Sequence, residues 1–375
     1  MNGALGNLTT AAEFVFLGFT DLPEGQVLLF GLFLLMHVIT LSGHLTITLI
    51  TLIDPCLQTP MYFFLRNLSS IEICYTLAII PNMLANLISV TREISFAGCA
   101  IQMYFFVALG TSECFLLSVM SYDRYTAICN PLRYSVIMSR LSCQRLLLAV
   151  GTSGFVLALG LTILIFRLPF CGSHAINHFF CDVPALLFLA CSDTRVNELV
   201  VFALCLLALL IPFLLILLSY AFIVVAILRI RSAEGRNKAF STCAGHLVVS
   251  LLHNGCAIFI YIRPKSAYAP DQDKVVSLVY TNVTPMLYPM IYSLRNQEVQ
   301  GALRRVLKRK IFSEKISERF RSLWRKGTPQ RFLNTETQKI FENLREYFVA
   351  MFGVQLSQTN YPALAMAVEE NLPRN

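Results

Sequence analysis

Residues 27–53 contain no Lys, Arg, Asp or Glu. About 20 apolar residues in a helix suffice to cross the roughly 30 Å of hydrocarbon in a bilayer, so this run constrains the fold more than any motif. Inside lipid every backbone N–H and C=O must be paired within the protein, which leaves helices or a closed barrel. Further apolar runs lie near 60–87, 96–129, 142–166, 196–228, 238–262 and 273–294. They are too long for the roughly ten-residue alternating segments of a barrel. Only 14% of residues are charged, against about 25% in soluble domains. The expectation is an all-α fold, a seven-transmembrane helix bundle.

Seven spans put the two termini on opposite sides, and the cations choose which. Arg124, Arg133, Arg140 and Arg145 lie between spans three and four, Arg229, Arg231, Arg236 and Lys238 between five and six, and Arg304, Arg305, Lys308, Arg309 and Lys310 after span seven. The other short loops carry fewer. The positive-inside rule then places the N-terminus outside and the C-terminus in the cytosol. No cleaved signal peptide is expected, because the segment before the first run lacks both cations and a small-residue cleavage site. The net charge of +8 reads as topology and not as nucleic-acid binding. Asn7-Leu8-Thr9 is a glycosylation sequon on the outer side.

Four of the 12 cysteines stand apart. Cys99 opens span three, and Cys171, Cys181 and Cys191 lie in the outer loop 167–195. An oxidising exterior favours disulfides. Four cysteines allow three pairings, among which spacing alone does not choose. One bridge is expected to tie the loop to span three as a lid. His174, His178 and Asp182 in that loop raise a metal site as an alternative to a stapled polar lid.

Span three ends in Met120-Ser121-Tyr122-Asp123-Arg124-Tyr125-Thr126-Ala127-Ile128-Cys129-Asn130-Pro131. Pro60-Met61-Tyr62-Phe63-Phe64-Leu65 opens span two. Lys238-Ala239-Phe240-Ser241-Thr242-Cys243 with His246-Leu247 opens span six. Pro289-Met290-Ile291-Tyr292-Ser293-Leu294-Arg295-Asn296 closes span seven. In this order, over roughly residues 10–311, the chain resembles the vertebrate odorant receptors, a branch of the rhodopsin-like G-protein-coupled receptors. The resemblance implies a plasma-membrane receptor that binds small volatile odorants inside the bundle. Its implied partner is a heterotrimeric olfactory stimulatory G protein, with cyclic AMP rising on activation. It also implies the bridges Cys99–Cys181 and Cys171–Cys191.

Carried over residue by residue, the ligand set is Phe106, Val107, Gly110, Thr111, Leu204, Cys205, Ala208, Ala257, Ile258, Tyr261, Leu278 and Thr281. Most are apolar, which suits a small ligand with one polar group. Singly, each also reads as ordinary helix packing. The implied switch is Asp123, Arg124 and Tyr125 with Tyr220, Pro289 and Tyr292, with Arg124 latched at rest and released on activation. Glu72 and Glu113 lie near mid-membrane, where a carboxylate is costly and rarely without function, and are read as a sodium or proton site. No other cofactor is expected. The usual Asp is Glu at 72, the usual Asn is Tyr288, the usual Tyr is Asn254, and a more usual Ser is Gly245.

The domain reading is an extracellular N-terminus 1–25, the bundle 26–294, a short cytoplasmic amphipathic helix 295–311 lying on membrane lipid, and an extended C-terminal tail 312–375 without an assigned role. Its basic run and Phe312, Ile316, Phe320 and Trp324 suit an anionic lipid surface. A receptor for another ligand class is the nearest alternative. A transporter would need internal repeats, and none is evident. No phosphate-binding glycine loop or nucleophile–base pair suggests an enzyme.

Overall fold

The computed structural model describes residues 13–19, 25–172, 174–263, 266, 268–294 and 296–308. The sequon at Asn7 and the tail 312–375 lie outside the described residues. The long helices are α1 (Gln26–Ile53), α2 (Pro60–Ile88), α3 (Phe96–Cys129), α4 (Arg140–Phe166), α5 (Arg195–Leu228), α6 (Ala233–Tyr261), α7 (270–294) and α8 (Gln297–Lys308). Helices α1 to α5 and the stretch Cys243–Tyr261 of α6 are long and apolar enough to cross a membrane. Helix α7 is interrupted by π-helical turns and begins with Asp271, Asp273 and Lys274.

The burial pattern is inverted relative to a soluble protein. Leu28 is 76% exposed and Leu148 71%, whereas Glu72, Glu113 and Asn254 are fully buried. Exposed leucine is costly in water and at home in lipid, while polar groups gather where other helices can pair with them. Helix α3 is central and packs on α2, α4 and α5. With no hydrophobic force between helices in lipid, close packing depends on small residues. A Cβ at Gly154 of α4 would lie 2.8 Å from the Ala108 carbonyl of α3, and one at Gly43 of α1 would lie 2.6 Å from the Pro289 ring of α7.

Helix α6 starts five residues before the expected span. Ser232 caps it, its hydroxyl accepting from the Gly235 N–H at 3.2 Å, and the polar residues 233–237 carry the helix beyond the apolar run. Proline accounts for the irregular stretches. A prolyl nitrogen cannot donate to the carbonyl one turn back, and the turn widens or bends around the loss. The π-helical segments Leu206–Leu210 and Val279–Val283 stand just before Pro212 and Pro285, and Met290–Leu294 follows Pro289. At the second, the Thr284 hydroxyl donates to the Val279 carbonyl at 3.1 Å.

At the end of the bundle that carries the disulfides, three short strands form a sheet in the order β2-β1-β3, which the apolar runs do not foretell. Strand β1 (Glu13–Phe16) pairs antiparallel with β2 (Glu93–Ser95) and parallel with β3 (Ala175–Ile176). Its Phe14 and Phe16 are buried while Glu13 and Val15 face out, the period of two expected of a half-buried strand. At the opposite end, α8 turns Val299 and Ala302 inward and is pinned twice. Arg305 pairs with Asp54 at 2.8 Å, and the Tyr62 hydroxyl donates to Glu298 at 2.7 Å.

Candidate functional site: an inner cavity under a stapled lid

Disulfides join Cys99 to Cys181 and Cys171 to Cys191. The first ties the loop after α4 to the start of α3, and the Cys181 N–H donates to Gln102 Oε1 at 2.9 Å. Phe180, next to that cysteine, packs on Phe106 with ring centroids 4.7 Å apart. The two histidine and aspartate candidates of this loop have separate partners. His178 Nε2 lies 3.2 Å from the Ser277 hydroxyl, and Asp182 accepts from the Tyr261 hydroxyl at 2.7 Å. Burial pushes the Asp182 carboxyl up to about 7. Burial, with the Lys274 charge behind it, pushes the His178 imidazole down to about 3.

Beneath the lid lies a mostly apolar cavity of about 80 Å³. Phe106, Val107, Gly110, Thr111, Leu204, Cys205, Ala208, Ala257 and Tyr261 line it, as the resemblance implied. Three residues of that set do not. Ile258 follows Ala257, and one residue of helix turns it about 100° away, into packing against Cys114 and Leu209. The π-helical turn Val279–Val283 shifts the register of α7, so Tyr280 faces the cavity in place of Leu278 and Thr281. The Thr281 hydroxyl instead donates to the Ser277 carbonyl at 2.7 Å. Residue-by-residue carry-over also missed Tyr75, Cys114, His253 and Tyr280. A helix wheel run through Pro285 without a π turn has no means of finding Tyr280.

His253, in the wall of the cavity, reaches one of the two buried acids behind it. Glu113 Oε1 accepts from the Tyr288 hydroxyl at 2.5 Å and lies 2.9 Å from His253 Nδ1. The span-seven departure, Tyr288, therefore meets this carboxylate together with His253 of span six. Among the described residues no other side chain donates to Glu113 Oε2 or to either oxygen of Glu72, all buried, and the two carboxyls lie within hydrogen-bonding reach of each other. Asn254, beside His253, returns its amide to its own helix at the Ser250 carbonyl, 2.9 Å away.

Further along α3, the triplet differs from a simple arginine–aspartate latch. Asp123 Oδ1 accepts from the Tyr134 hydroxyl at 2.8 Å. Among the described residues no ion pair to Arg124 is found; its charge lies within electrostatic reach of Tyr220, His246 and Tyr292. Tyr220 and His246 are hydrogen-bonded at 2.8 Å and join α5 to α6. Tyr125 packs on Phe222 of α5, and Tyr292 stacks on Tyr288 with centroids 6.3 Å apart. Cavity, acid cluster and triplet thus form one connected column through the bundle.

The family profile described as olfactory receptor matches residues 33–310. Human olfactory receptor 10Q1 is 53% identical over 311 residues, covering 82% of this chain and 97% of its own length. Human olfactory receptor 10R2 is 51% identical over 304 residues, 81% of this chain and 91% of its own. Mouse olfactory receptor 10J5 is 49% identical over 303 residues, 81% of this chain and 98% of its own.

Proposed function

The chain belongs to the olfactory receptor family of multi-pass membrane receptors, and from that premise we propose that it binds small, mostly apolar volatile molecules in the inner cavity and answers through an olfactory stimulatory G protein that raises cyclic AMP. The observation that carries this reading is the cavity itself. It is enclosed between α3, α5, α6 and α7, walled mainly by apolar side chains, and supplied with hydroxyls from Thr111, Tyr261 and Tyr280. No carboxylate lines it, so a neutral ligand suits it better than a permanent cation. At about 80 Å³ it is smaller than the roughly 150 Å³ apolar cavity that takes up benzene. Ligand binding must therefore displace wall side chains, which is how a ligand biases one conformation over another.

The orientation follows the cations, with the triplet end in the cytosol and the lid outside. Asp123, Arg124, Tyr125, Tyr220, Pro289 and Tyr292 form the switch, in which Tyr134 holds Asp123 and leaves Arg124 for the G protein. Glu72 and Glu113 hold one proton or one sodium ion between them. Three buried carboxyl oxygens to which no other side chain donates fit either, and either supplies the positive charge that two facing carboxyls require. Helix α8 rests on lipid, and Asn7 carries glycan.

Cyclic AMP measured in cells coexpressing the receptor and the olfactory G protein, across a panel of volatile molecules, tests the reading. A dose-dependent rise that Arg124→Ala abolishes at equal surface expression is expected. Silence of a well-expressed receptor across the panel moves the assignment to a receptor for another ligand class.

A further inference from the structure

A second cavity adjoins the first, on the lid side of Tyr261. It has a volume of about 210 Å³, larger than the inner one. Val183 and Leu187 of the lid, Val201 and Phe202 of α5 and Ile260 of α6 make its apolar walls. Its polar lining is Arg263, Tyr268 and Asp273 at one end, together with Glu198 of α5. Tyr261 belongs to both cavities, and its hydroxyl is held between Asp182 at 2.7 Å and Tyr280 at 2.9 Å. With Val183 and Val201, which also line both cavities, this tyrosine forms the shared wall.

The polar end has two unused hydrogen-bonding positions. Asp273 is 1% exposed; its Oδ1 is taken by Arg263, while its Oδ2 is buried without a partner. The Tyr268 hydroxyl is likewise buried without one. Leaving a buried polar atom unpaired is costly, so a molecule that pairs them gains twice, from these groups and from the apolar walls. A carboxylate oxygen only accepts, so the molecule must donate. Arg263 on the neighbouring oxygen already compensates the Asp273 charge, and the second carboxylate of the lining, Glu198, accepts from the Thr194 hydroxyl at 2.7 Å, so a neutral donor suffices. The volume exceeds the roughly 150 Å³ that admits benzene, so this cavity takes an odorant-sized molecule without the rearrangement that the inner one demands.

We propose that this cavity is a second binding site, a vestibule for small apolar alcohols, separated from the inner cavity by Tyr261, Val183 and Val201. The inference goes beyond the receptor reading and does not depend on G-protein coupling, because occupancy is measured directly. The test uses the full-length receptor purified into lipid nanodiscs and photolabelled with a diazirine-bearing octanol, with adducts mapped by peptide mass spectrometry. Adducts are expected at residues 184–187, 198, 202 or 268–273, which line only the second cavity or flank it, and unlabelled octanol should compete them away. Tyr268→Phe should weaken that competition by about fivefold, the worth of one hydrogen bond, at unchanged melting temperature. The matching diazirine-bearing octane should label wild type and Tyr268→Phe alike. Adducts found only at inner-cavity residues 106–114 and 253–257 would overturn the proposal. So would labelling that octanol does not compete, or a Tyr268→Phe effect equal for octanol and octane.

Discussion

Glu113 receives the Tyr288 hydroxyl and the His253 imidazole, and all three side chains are buried. Removing one partner of a buried charge pair leaves the other uncompensated and costs about 3–5 kcal/mol, whereas removing both is often near neutral. Glu113→Gln and His253→Phe are each expected to lower the melting temperature of purified receptor substantially. The double variant should lose clearly less than the sum, and strict additivity would show that the two residues are not coupled. Asp182 and His178 make a prediction of sign. Asp182 is raised from 3.8 to about 7, so the closed lid holds more protons than an opened one and Asp182 weakens closure as pH rises through that window. His178 is lowered from 6.5 to about 3, so it weakens closure as pH falls from 6.5. Between about 4 and 6.5 the two slopes oppose. Hydrogen exchange of residues 175–187 in wild type should change little over that range. Asp182→Asn should make the lid acid-labile, and His178→Phe should make it weaken on the alkaline side.

Among the elements, the sensitive contact is α1 against α7. A Cβ at Gly43 would meet the rigid ring of Pro289 at 2.6 Å, and a proline ring has no long side chain to swing aside. Gly43→Ala is expected to cost about 1–3 kcal/mol, the usual scale of overpacking, read as a lower melting temperature. Gly31, whose Cβ would meet nothing within 4 Å, is the control, and Gly31→Ala should be neutral. Gly245 follows the same logic at the α6–α7 contact, where a Cβ would lie 2.6 Å from Ile291 Cγ2. The glycine that departs from the family pattern is thus the residue that lets these helices meet. Element type and order were legible because long charge-free runs in lipid admit only helices. The strand β1 was not, since four residues carry too little periodicity, and neither were the π turns, since hydropathy is blind to register.

Across the whole molecule, the two disulfides do unequal work. Cys99–Cys181 spans 82 residues and fastens the lid to the bundle, while Cys171–Cys191 closes 20 residues within the loop. Loop-closure entropy grows with the residues enclosed. Cys99→Ala with Cys181→Ala should therefore lower melting temperature and surface expression more than Cys171→Ala with Cys191→Ala, and the reverse ranking would place the lid's stability within the loop. The sequence alone determined the membrane fold, because the bilayer penalises unpaired backbone so heavily that apolar length dictates helix. It determined the family as well, through motifs whose order along the chain is independent of packing, and nine of the twelve residues carried over from them line the inner cavity. Tertiary structure alone decided the rest. It turned Tyr280 inward through a π turn, it set His253 and Tyr288 on Glu113 from two distant helices, and it opened a vestibule where lid, α5, α6 and α7 meet. Each of these depends on the relative rotation and approach of separate helices, which side-chain packing settles only once the bundle has closed.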